Sequence, residues 1–263
     1  HPGVNYLYAN ENHYYIGGRL EVLSLPLHFD FKALRQSPSE VRHLYQKLGW
    51  KRVVGFQTRH PVHRPQFEMT LAAMQSAKAG LLLLPLVGLT MPDDFDYYTR
   101  VRCYQEVMRY YPPSSAHLSL LPLSARMAGP REALLHAIIA RNYGCTHFIV
   151  GHNHANPGSD SNGQPFYDSA QTREVVAQCA ERIGIEIVAF DEMVYLPFED
   201  QFLTRDKVAP NVQSLSMSGD DIRLRIRSGR NIPGWATFPE VATQIGKAYP
   251  TPRKQGLAIF FTG

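Results

Sequence analysis

Cysteine is scarce in this sequence, and its placement excludes two kinds of small-domain scaffold. The 263 residues include three cysteines, Cys103, Cys145 and Cys179, which lie far apart. An odd number without a C-x-x-C pair indicates neither a disulfide framework nor a zinc knuckle. We therefore expect small buried thiols in a cytoplasmic protein.

Long hydrophobic runs and a strong charge imbalance are also lacking. The longest strongly apolar run, residues 79–89, is too short to span a bilayer and contains Pro85. The opening His1-Pro2-Gly3 leads into a Tyr- and Asn-rich stretch, which is not typical of a signal peptide. The 27 Lys and Arg residues against 23 Asp and Glu give a net charge of +4, too small to indicate nucleic-acid binding. We expect neither a membrane nor a nucleic acid as partner.

What is present is the composition of an ordinary globular protein. Hydrophobic residues make up 44% of the sequence and charged residues 19%, which is enough apolar surface to bury a core. Disorder, collagen and coiled coil are excluded for the chain as a whole. Because the sequence does not begin with Met, we expect it to be part of a longer protein.

The first thirty residues predict the end of a β-rich region. Residues 13–26 have the pattern of a β-hairpin with its turn at Gly17-Gly18. A strand pair is not stable alone, so we expect these residues to complete an N-terminal β-rich domain.

Strand and helix patterns then alternate and predict the fold class. The predicted strands are residues 53–57, 81–87, 117–121, 147–150 and 185–189, and the predicted helices are 65–79, 93–110, 130–142 and 169–183. This order predicts an α/β protein with a parallel, Rossmann-like sheet. Ligands of such sheets bind at the carboxyl ends of the strands.

Serines mark two helix starts outside this alternation. Ser37-Pro38-Ser39-Glu40 has the pattern of a capping box, and Ser218 caps a predicted helix that runs to Ser228. From residue 196 onward the pattern weakens, which indicates a small C-terminal α/β subdomain. Residues 251–256 predict a linker, and residues 257–262 predict a further strand.

The first polar motif, Q-T-R-H-P-V-H-R-P-Q, occupies residues 57–66 between a predicted strand and a helix. Backbone N–H groups and the positive helix end favour an anion there, and Arg59 and His63 add side-chain donors. The motif predicts a phosphate or sulfate site. The alternative is a strand–helix loop with incidental polar residues.

The second motif, G-H-N-H-A-N-P-G at residues 151–158, also follows a predicted strand. Its two histidines, His152 and His154, suit a metal, but no third ligand has suitable spacing. We expect no protein-bound metal and interpret the motif as a second wall of the same nucleotide pocket. Ser216-Met217-Ser218-Gly219 is a third, weaker motif.

Together these motifs resemble those of ATP sulfurylase (sulfate adenylyltransferase), which are Q-T-R-N-P-x-H-x-x-H, G-R-D-H-A-G-P-G and I-S-G-T-x-x-R. The resemblance runs from about residue 14 to residue 250, and further blocks at 126–133, 143–151, 193–197 and 232–235 occur in the same order. Residues 256–263 resemble the first strand of APS kinase (adenylylsulfate kinase), without its P-loop. The sequence thus resembles part of a fused ATP sulfurylase–APS kinase chain.

The resemblance implies a domain organisation. Residues 1–30 end a β-rich, PUA-like domain, and residues 31–195 form the Rossmann-like adenylyltransferase domain. Residues 196–250 form a C-terminal subdomain, and residues 251–263 form a linker with the first strand of a truncated APS kinase domain. A homo-oligomer is implied as well.

The implied reaction is sulfate plus MgATP giving adenylylsulfate (APS) and pyrophosphate. Sulfate is already a dianion, so catalysis needs no general base and consists of positioning and charge stabilisation. Zinc-bearing members have cysteines where this sequence has Leu196 and Glu199, so Mg²⁺ with ATP is expected and zinc is not. The implied catalytic residues are Thr58, Arg59 and His60; the sulfate-binding residues are Gln57, Arg59 and Ala155; the ATP-binding residues are Gln57, His63, Gln66, Gly151, His152, Asn153, His154 and Val194.

Departures from the family pattern fall on the implied site. His60 replaces Asn, Gln66 replaces the second His of H-x-x-H, His152 and Asn153 replace Arg and Asp, Asn156 replaces Gly, and Asp220 replaces Thr. Loss of the Arg removes a permanent cation, because a His with a pKa of about 6.5 is mostly neutral at pH 7. Losing one preorganised donor costs roughly 10²–10³ in rate, so we expect a large loss.

Three hypotheses follow from this pattern. The substitutions favour an impaired or inactive domain that is the structural partner of a downstream APS kinase. The retained residues favour an active enzyme with an altered site; they are Gln57, Thr58, Arg59, His63 and His154. The third hypothesis is an adenylyltransferase with a less charged acceptor.

Overall fold

The computed structural model describes residues 1–250 except residues 11, 13, 15, 25 and 89–93. The helices are α1 (Pro2–Asn10), α2 (Pro38–Leu48), α3 (Arg64–Ala77), α4 (Tyr97–Val107), α5 (Pro130–Asn142), α6 (Ser169–Ile183), α7 (Gly219–Arg227) and α8 (Pro239–Ala248). The strands are β1 (Val53–Phe56), β2 (Gly80–Leu83), β3 (Ala116–Leu118), β4 (His147–Val150), β5 (Glu186–Ala189), β6 (Met193–Leu196) and β7 (Gln201–Thr204). Short 3₁₀ turns lie at Lys32–Leu34, Met108–Tyr110 and Arg205–Lys207.

Five strands form one parallel sheet in the order β3-β2-β1-β4-β5, which confirms the predicted Rossmann-like α/β fold. The chain moves outward from β1 to β3 and then crosses back to β4 and β5. The strand order therefore reverses between β1 and β4, where Val54 is in register with His147. A crevice forms outside the carboxyl ends of the strands at such a switch point. The first two polar motifs follow these two strands.

Apolar side chains cover both faces of the sheet. β1 and β4 are buried along their whole length, as is usual for central parallel strands. Successive residues of β1 contribute to opposite faces, since Val54 belongs to one hydrophobic cluster and Val53 to the other. The first cluster includes residues of α3, α4, α7 and α8, and the second includes residues of α2, α5 and α6. The sheet is therefore the middle of three layers.

The predicted helix starts at the two serines are confirmed. The Oγ of Ser37 accepts the N–H of Glu40 at 3.3 Å, and Glu40 Oε2 accepts the N–H of Ser37 at 2.7 Å. The same reciprocal box joins Ser218 and Asp221 at the start of α7. The predicted bounds of α5, β4 and α6 are also confirmed.

Two other predicted boundaries differ from the structure for local reasons. The helix predicted from residue 93 begins at Tyr97, because the side chain of Asp96 caps it by accepting the N–H of Thr99 at 2.9 Å. The strand predicted for residues 81–87 ends at Leu83. Pro85 follows and has no N–H for a strand ladder.

The N-terminal residues form a helix followed by an exposed stretch. Among the described residues from 12 to 29 there is no strand, so the hairpin predicted for 13–26 is not formed in the part that the structure describes. Ile16, Leu23 and Phe29 are exposed, and a strand pair needs a packed face to be stable. Membership of residues 1–30 in a β-rich domain stays a prediction, and the linker and strand predicted for 251–263 lie outside the described residues.

The C-terminal elements share the core of the sheet. β6 and β7 form an antiparallel hairpin, and α8 lies against α4. Ile222 of α7 and Ile245 of α8 belong to the same hydrophobic cluster as Val54. The domain boundary predicted between residues 195 and 196 therefore falls inside β6. None of the helices in the described ranges is long and apolar enough to cross a membrane.

Candidate active site

A cleft of about 590 Å³ lies outside the carboxyl ends of β1 and β4. Its walls are the loops after these two strands, the segment before β6, the loop before α7 and residues 125–127. The predicted site residues that line it are Gln57, Thr58, Arg59, His60, Gln66, Gly151, His152, Asn153, His154 and Ala155. Residues 216–219 of the third motif also line the cleft, so the fold brings all three motifs together.

Two predicted ATP-binding residues, His63 and Val194, do not line this cleft. His63 is 4% exposed, and its Nδ1 lies 2.8 Å from Thr237 Oγ1. Burial lowers the pKa of His63 to about 4. Val194 is fully buried in β6. Both side chains are buried in the protein interior. Their place in a sequence motif did not reveal this, because a motif does not fix the direction of each side chain.

The loop after β1 is held by hydrogen bonds to three successive carbonyls. The donors are the N–H of Leu86 to Thr58 (2.9 Å), Arg100 Nη1 to Arg59 (2.8 Å) and the Tyr104 hydroxyl to His60 (3.0 Å). Arg100 and Tyr104 are one turn apart on α4, and both are fully buried. The three carbonyl oxygens thus accept hydrogen bonds from neighbouring parts of the protein, which fixes the conformation of the loop.

The charge of Arg59 is shared within the protein. Its guanidinium is paired with the buried carboxylate of Asp94. His60 Nδ1 lies 3.8 Å from the same carboxylate, with half of its side chain exposed. Desolvation and the charge of Arg59 lower the pKa of His60, and Asp94 opposes this shift only in part. The ring of His60 is therefore neutral at pH 7.

Gln57 is placed at the inner end of the cleft. It is 4% exposed, and its Nε2 donates to the carbonyl of His136 at 3.4 Å. Its buried Oε1 has no hydrogen-bond partner among the described residues. An unsatisfied buried oxygen is costly, so Gln57 keeps an unused hydrogen-bond acceptor at the inner end of the cleft.

A row of titratable side chains connects α5 with the cleft. His136 Nδ1 lies 3.0 Å from His154 Nε2, and His136 Nε2 lies 3.5 Å from Glu132 Oε1. Burial, and then the neighbouring His136, lower the pKa of His154 to about 3. His154 is therefore neutral at physiological pH.

The substituted positions have partners within the chain. His152 Nδ1 lies 2.8 Å from Asp191 Oδ1, Asn153 Oδ1 accepts the hydroxyl of Ser169 at 2.8 Å, and Asn156 Nδ2 donates to the carbonyl of Tyr167 at 3.0 Å. Asp220 does not line the cleft; its side chain is 88% exposed and lies 3.6 Å from Arg223. The three substituted residues of the loop after β4 thus each have a polar neighbour elsewhere in the chain.

The loop after β4 contains one strained residue. Ala155 has a left-handed φ of 56°, which costs a non-glycine residue roughly 1–2 kcal/mol. Its carbonyl accepts the N–H of Gly129 at 3.0 Å. This contact ties the loop to the start of α5 and helps to hold the strained conformation.

The cleft lining has little positive charge. Arg59 is the one permanent cation among the described lining residues, against four acids, Glu132, Asp191, Glu192 and Asp221. The acids have partners of their own: Glu192 pairs with Arg205 at 2.7 Å, and Asp221 caps α7. Such a lining offsets little of the charge of a sulfate or a triphosphate.

The described residues provide no dedicated metal centre. No group of three or more His, Cys, Asp or Glu side chains in these ranges is arranged to hold a metal ion. Mg²⁺ is usually bound by one or two carboxylates together with substrate phosphates. The carboxylates that line this cleft are of the ligand type that Mg²⁺ takes.

Sequence reasoning missed several residues of the cleft, among them Glu132, His136 and Asp191. The first two are four residues apart on a predicted helix, a spacing that places them side by side. Asp191 follows β5, at the same edge of the sheet as the motifs. Both signals are present in the sequence, but neither is specific enough to indicate a site.

Comparison with known proteins identifies a family and its relatives. The family profile ATP-sulfurylase matches residues 32–248. Sulfate adenylyltransferase of Neurospora crassa is 46% identical over 263 residues, which are 100% of this chain and 46% of that protein. Sulfate adenylyltransferase of Schizosaccharomyces pombe is 47% identical over 259 residues, 98% of this chain and 53% of that protein. The chain spans about half the length of the curated relatives it matches.

A solved structure shares the fold. It is described as a hexameric APS kinase from Thiobacillus denitrificans, and it superimposes with a TM-score of 0.73 at 34% sequence identity. The superposition covers 88% of this chain and 43% of that chain.

Proposed function

Because this chain belongs to the ATP-sulfurylase family, we propose that it is the sulfate adenylyltransferase-like domain of a sulfate-activation protein, with impaired or absent catalysis. In this proposal the domain is the structural partner of an APS kinase domain in the same oligomeric protein. The carrying observation is the charge of the cleft, where one permanent cation, itself paired with Asp94, is set against four carboxylates.

The family reaction demands more positive charge than this lining offers. An oxygen of sulfate forms a bond to the α-phosphorus of ATP, the bond from that phosphorus to the bridging oxygen breaks, and pyrophosphate leaves with the electron pair. No proton is transferred. Mg²⁺ bound to the phosphates supplies charge to the leaving group. The protein must supply the rest around the α-phosphorus, and we assign this role to the retained residues Thr58 and Arg59.

The substituted wall supports the same conclusion. His152 stands where the family motif has Arg, and its Nδ1 lies 2.8 Å from Asp191 Oδ1. A phosphate that approaches His152 competes with this carboxylate for the ring. Glu192 and Asp221 also line the cleft and add negative charge. We therefore expect weak binding of the nucleotide phosphates.

A second candidate function is an active enzyme with altered site residues. It is favoured by the convergence of Gln57, Arg59 and His154 on one cleft. The imidazole of His152, which lines the same cleft, has an N–H that can donate a hydrogen bond to a phosphate oxygen. A thermal shift with ATP but not with APS would instead favour an adenylyltransferase with a less charged acceptor.

The test is APS-dependent formation of ATP from pyrophosphate by the purified full-length protein, with APS kinase activity as the folding control. We expect sulfurylase turnover well below about 1 s⁻¹, the low end for typical enzymes, beside normal kinase activity. Turnover at or above that rate would overturn the impaired domain and establish the active one. The ligands ATP, sulfate, APS and pyrophosphate, Mg²⁺ as the metal of ATP, the absence of zinc and the cytoplasmic location all belong to this proposal.

A further inference from the structure

His152 and Asp191 are neighbours because they continue the pairing of two parallel strands. The register of β4 and β5 ends with Val150 opposite Ala189. The N–H of Phe190 donates to the carbonyl of Val150 at 3.0 Å, which extends the pairing toward the cleft. The same register places His152 opposite Asp191. The ends of these two strands therefore bring an imidazole and a carboxylate together at the positions where the family pattern has lost its Arg.

Both side chains line the cleft, and they are within hydrogen-bonding distance. His152 Nδ1 lies 2.8 Å from Asp191 Oδ1. Nδ1 itself is buried, whereas the side chain of His152 is 40% exposed, so the exposed part of the ring lies on the side of Nε2. Nδ1 makes no aligned hydrogen bond with a described residue. Hydrogen bonds of catalytic groups often become aligned only when the substrate binds.

Asp191 is held as a carboxylate. Its Oδ1 accepts the N–H of Glu192 at 2.7 Å. This hydrogen bond lowers the pKa of Asp191; burial opposes the shift, and the neighbouring His152 and Arg173 add to it. A carboxylate beside Nδ1 favours a neutral ring with its proton on Nδ1, which leaves the lone pair on Nε2. An imidazole oriented in this way is the general base of many hydrolytic enzymes.

The family reaction has no use for such a base, because its nucleophile, sulfate, is already a dianion. Water is neutral and must lose a proton when it attacks phosphorus. The lining, with Arg59 as the one permanent cation among its described residues against four acids, disfavours an anionic nucleophile but not water. We propose that His152 is a general base, with Asp191 as its positioning residue, for hydrolysis of adenylylsulfate to AMP and sulfate.

This proposal rests on the proposed nucleotide site and changes the nucleophile used there. The oxygen of water forms a bond to the phosphorus of adenylylsulfate, and its proton goes to His152 Nε2. The bond from phosphorus to the oxygen shared with sulfur breaks, and sulfate leaves with the electron pair. The proton on His152 then returns to solvent. Adenylylsulfate carries fewer negative charges than ATP, so it suits a lining with little positive charge.

The test is formation of AMP from adenylylsulfate by the purified full-length protein. The assay contains neither pyrophosphate nor ATP, so neither sulfurylase nor kinase turnover consumes the substrate. We expect AMP to form faster than in a protein-free control. In ¹⁸O-labelled water the label should enter the phosphate of AMP. Equal rates with and without protein, or label in sulfate instead, would overturn the proposal.

Two substitutions separate a base from a structural contact. His152→Ala should lower the rate by about 10²-fold, the smaller effect of a lost general base, and added imidazole should restore part of it. Asp191→Asn keeps the shape but removes the charge, and it should lower the rate at least about 10-fold while remaining insensitive to imidazole. Unchanged rates in both variants, or no recovery of His152→Ala by imidazole, would contradict general-base catalysis.

A matched control lies at the other end of the same two strands. His147 is opposite Glu186, and its Nε2 lies 3.2 Å from Glu186 Oε2. Glu186→Gln removes a comparable contact outside the cleft and should leave AMP formation unchanged; a loss equal to that of Asp191→Asn would overturn the specific role of Asp191. The proposed sulfurylase impairment is measured separately, by pyrophosphate-dependent ATP formation, so failure of one proposal is distinguishable from failure of the other.

Discussion

At the scale of single residues, the cleft has fewer charged side chains than the family pattern. The residues that replace the charged ones contact neighbours in this chain. His152 lies beside Asp191, and Asn153 lies beside Ser169. Each new side chain therefore has a partner in this chain. A single substitution back to the family residue would therefore place that residue among neighbours that contact the present side chain.

Restoring the family residues should recover activity only in combination. The quadruple change His60→Asn, Gln66→His, His152→Arg and Asn153→Asp should raise APS-dependent ATP formation by at least about 10²-fold, because one preorganised donor is worth roughly that factor. Each single change should give much less, since an Arg at 152 alone pairs with Asp191. The measurement is turnover with kinase activity as the reference. An unchanged quadruple variant would place the defect in loop geometry, for instance at the strained Ala155.

At the scale of elements, α4 holds the loop after β1 (residues 57–63) in place, although α4 contributes no lining residue of its own. Arg100 donates to the carbonyls of both Arg59 and Leu86, at 2.8 and 2.9 Å. It thereby joins the ends of β1 and β2. Its Nε and Nη2 are buried without a hydrogen-bond partner among the described residues. The hydrogen-bonding capacity of this buried guanidinium is therefore only partly used.

Removing one hydroxyl from α4 should loosen this loop selectively. Tyr104→Phe deletes the bond to the His60 carbonyl, which is worth about 1 kcal/mol. Amide hydrogen exchange of residues 57–62 should become several-fold faster. The matched control is Tyr111→Phe, which deletes a buried bond of 2.7 Å to Thr70 and should leave that segment unchanged. Equal exchange in the two variants would contradict the role of α4.

Elements were predictable where their signals are local, and the site was predictable only in part. Capping boxes at Ser37 and Ser218 fix helix starts with residues three apart, and the bounds of α5 follow from Pro130 and the Gly144 beyond its end. The roles of Arg100 and Asp191 depend on contacts between residues far apart in sequence. No local pattern reveals that a buried guanidinium holds a distant carbonyl.

At the scale of the whole molecule, buried neutral histidines couple folding to pH. His63 has a folded-state pKa of about 4 because of burial, against about 6.5 in an unfolded chain. Between these values the unfolded chain binds more protons, so the free energy of unfolding falls as the pH drops below about 6.5. At higher pH both states are neutral, and this contribution is constant.

Replacing His63 should flatten the acid side of the stability profile. For this one group the loss at pH 5 relative to pH 8 is about 2 kcal/mol. The free energy of unfolding of His63→Gln, measured by urea unfolding, should therefore fall by about 2 kcal/mol less between pH 8 and pH 5 than that of the unmodified protein. The exposed His43 provides the control, His43→Gln, which should keep the slope of the unmodified protein. Parallel profiles for all three proteins would contradict the buried neutral state.

The packing of α8 on α4 connects the C-terminal helix mechanically to the cleft. Tyr249, just after α8, accepts the N–H of Asp96 at 3.0 Å and donates to Asp96 Oδ2 at 3.3 Å. Gln244 donates to Glu106 at 3.2 Å near the other end of α4. Tyr249 and Gln244 thus fasten α8 to both ends of α4, the helix that holds the loop after β1. Because Arg100 and Tyr104 of α4 hold the carbonyls of Arg59 and His60, a displacement of α8 that moves α4 also moves one wall of the cleft.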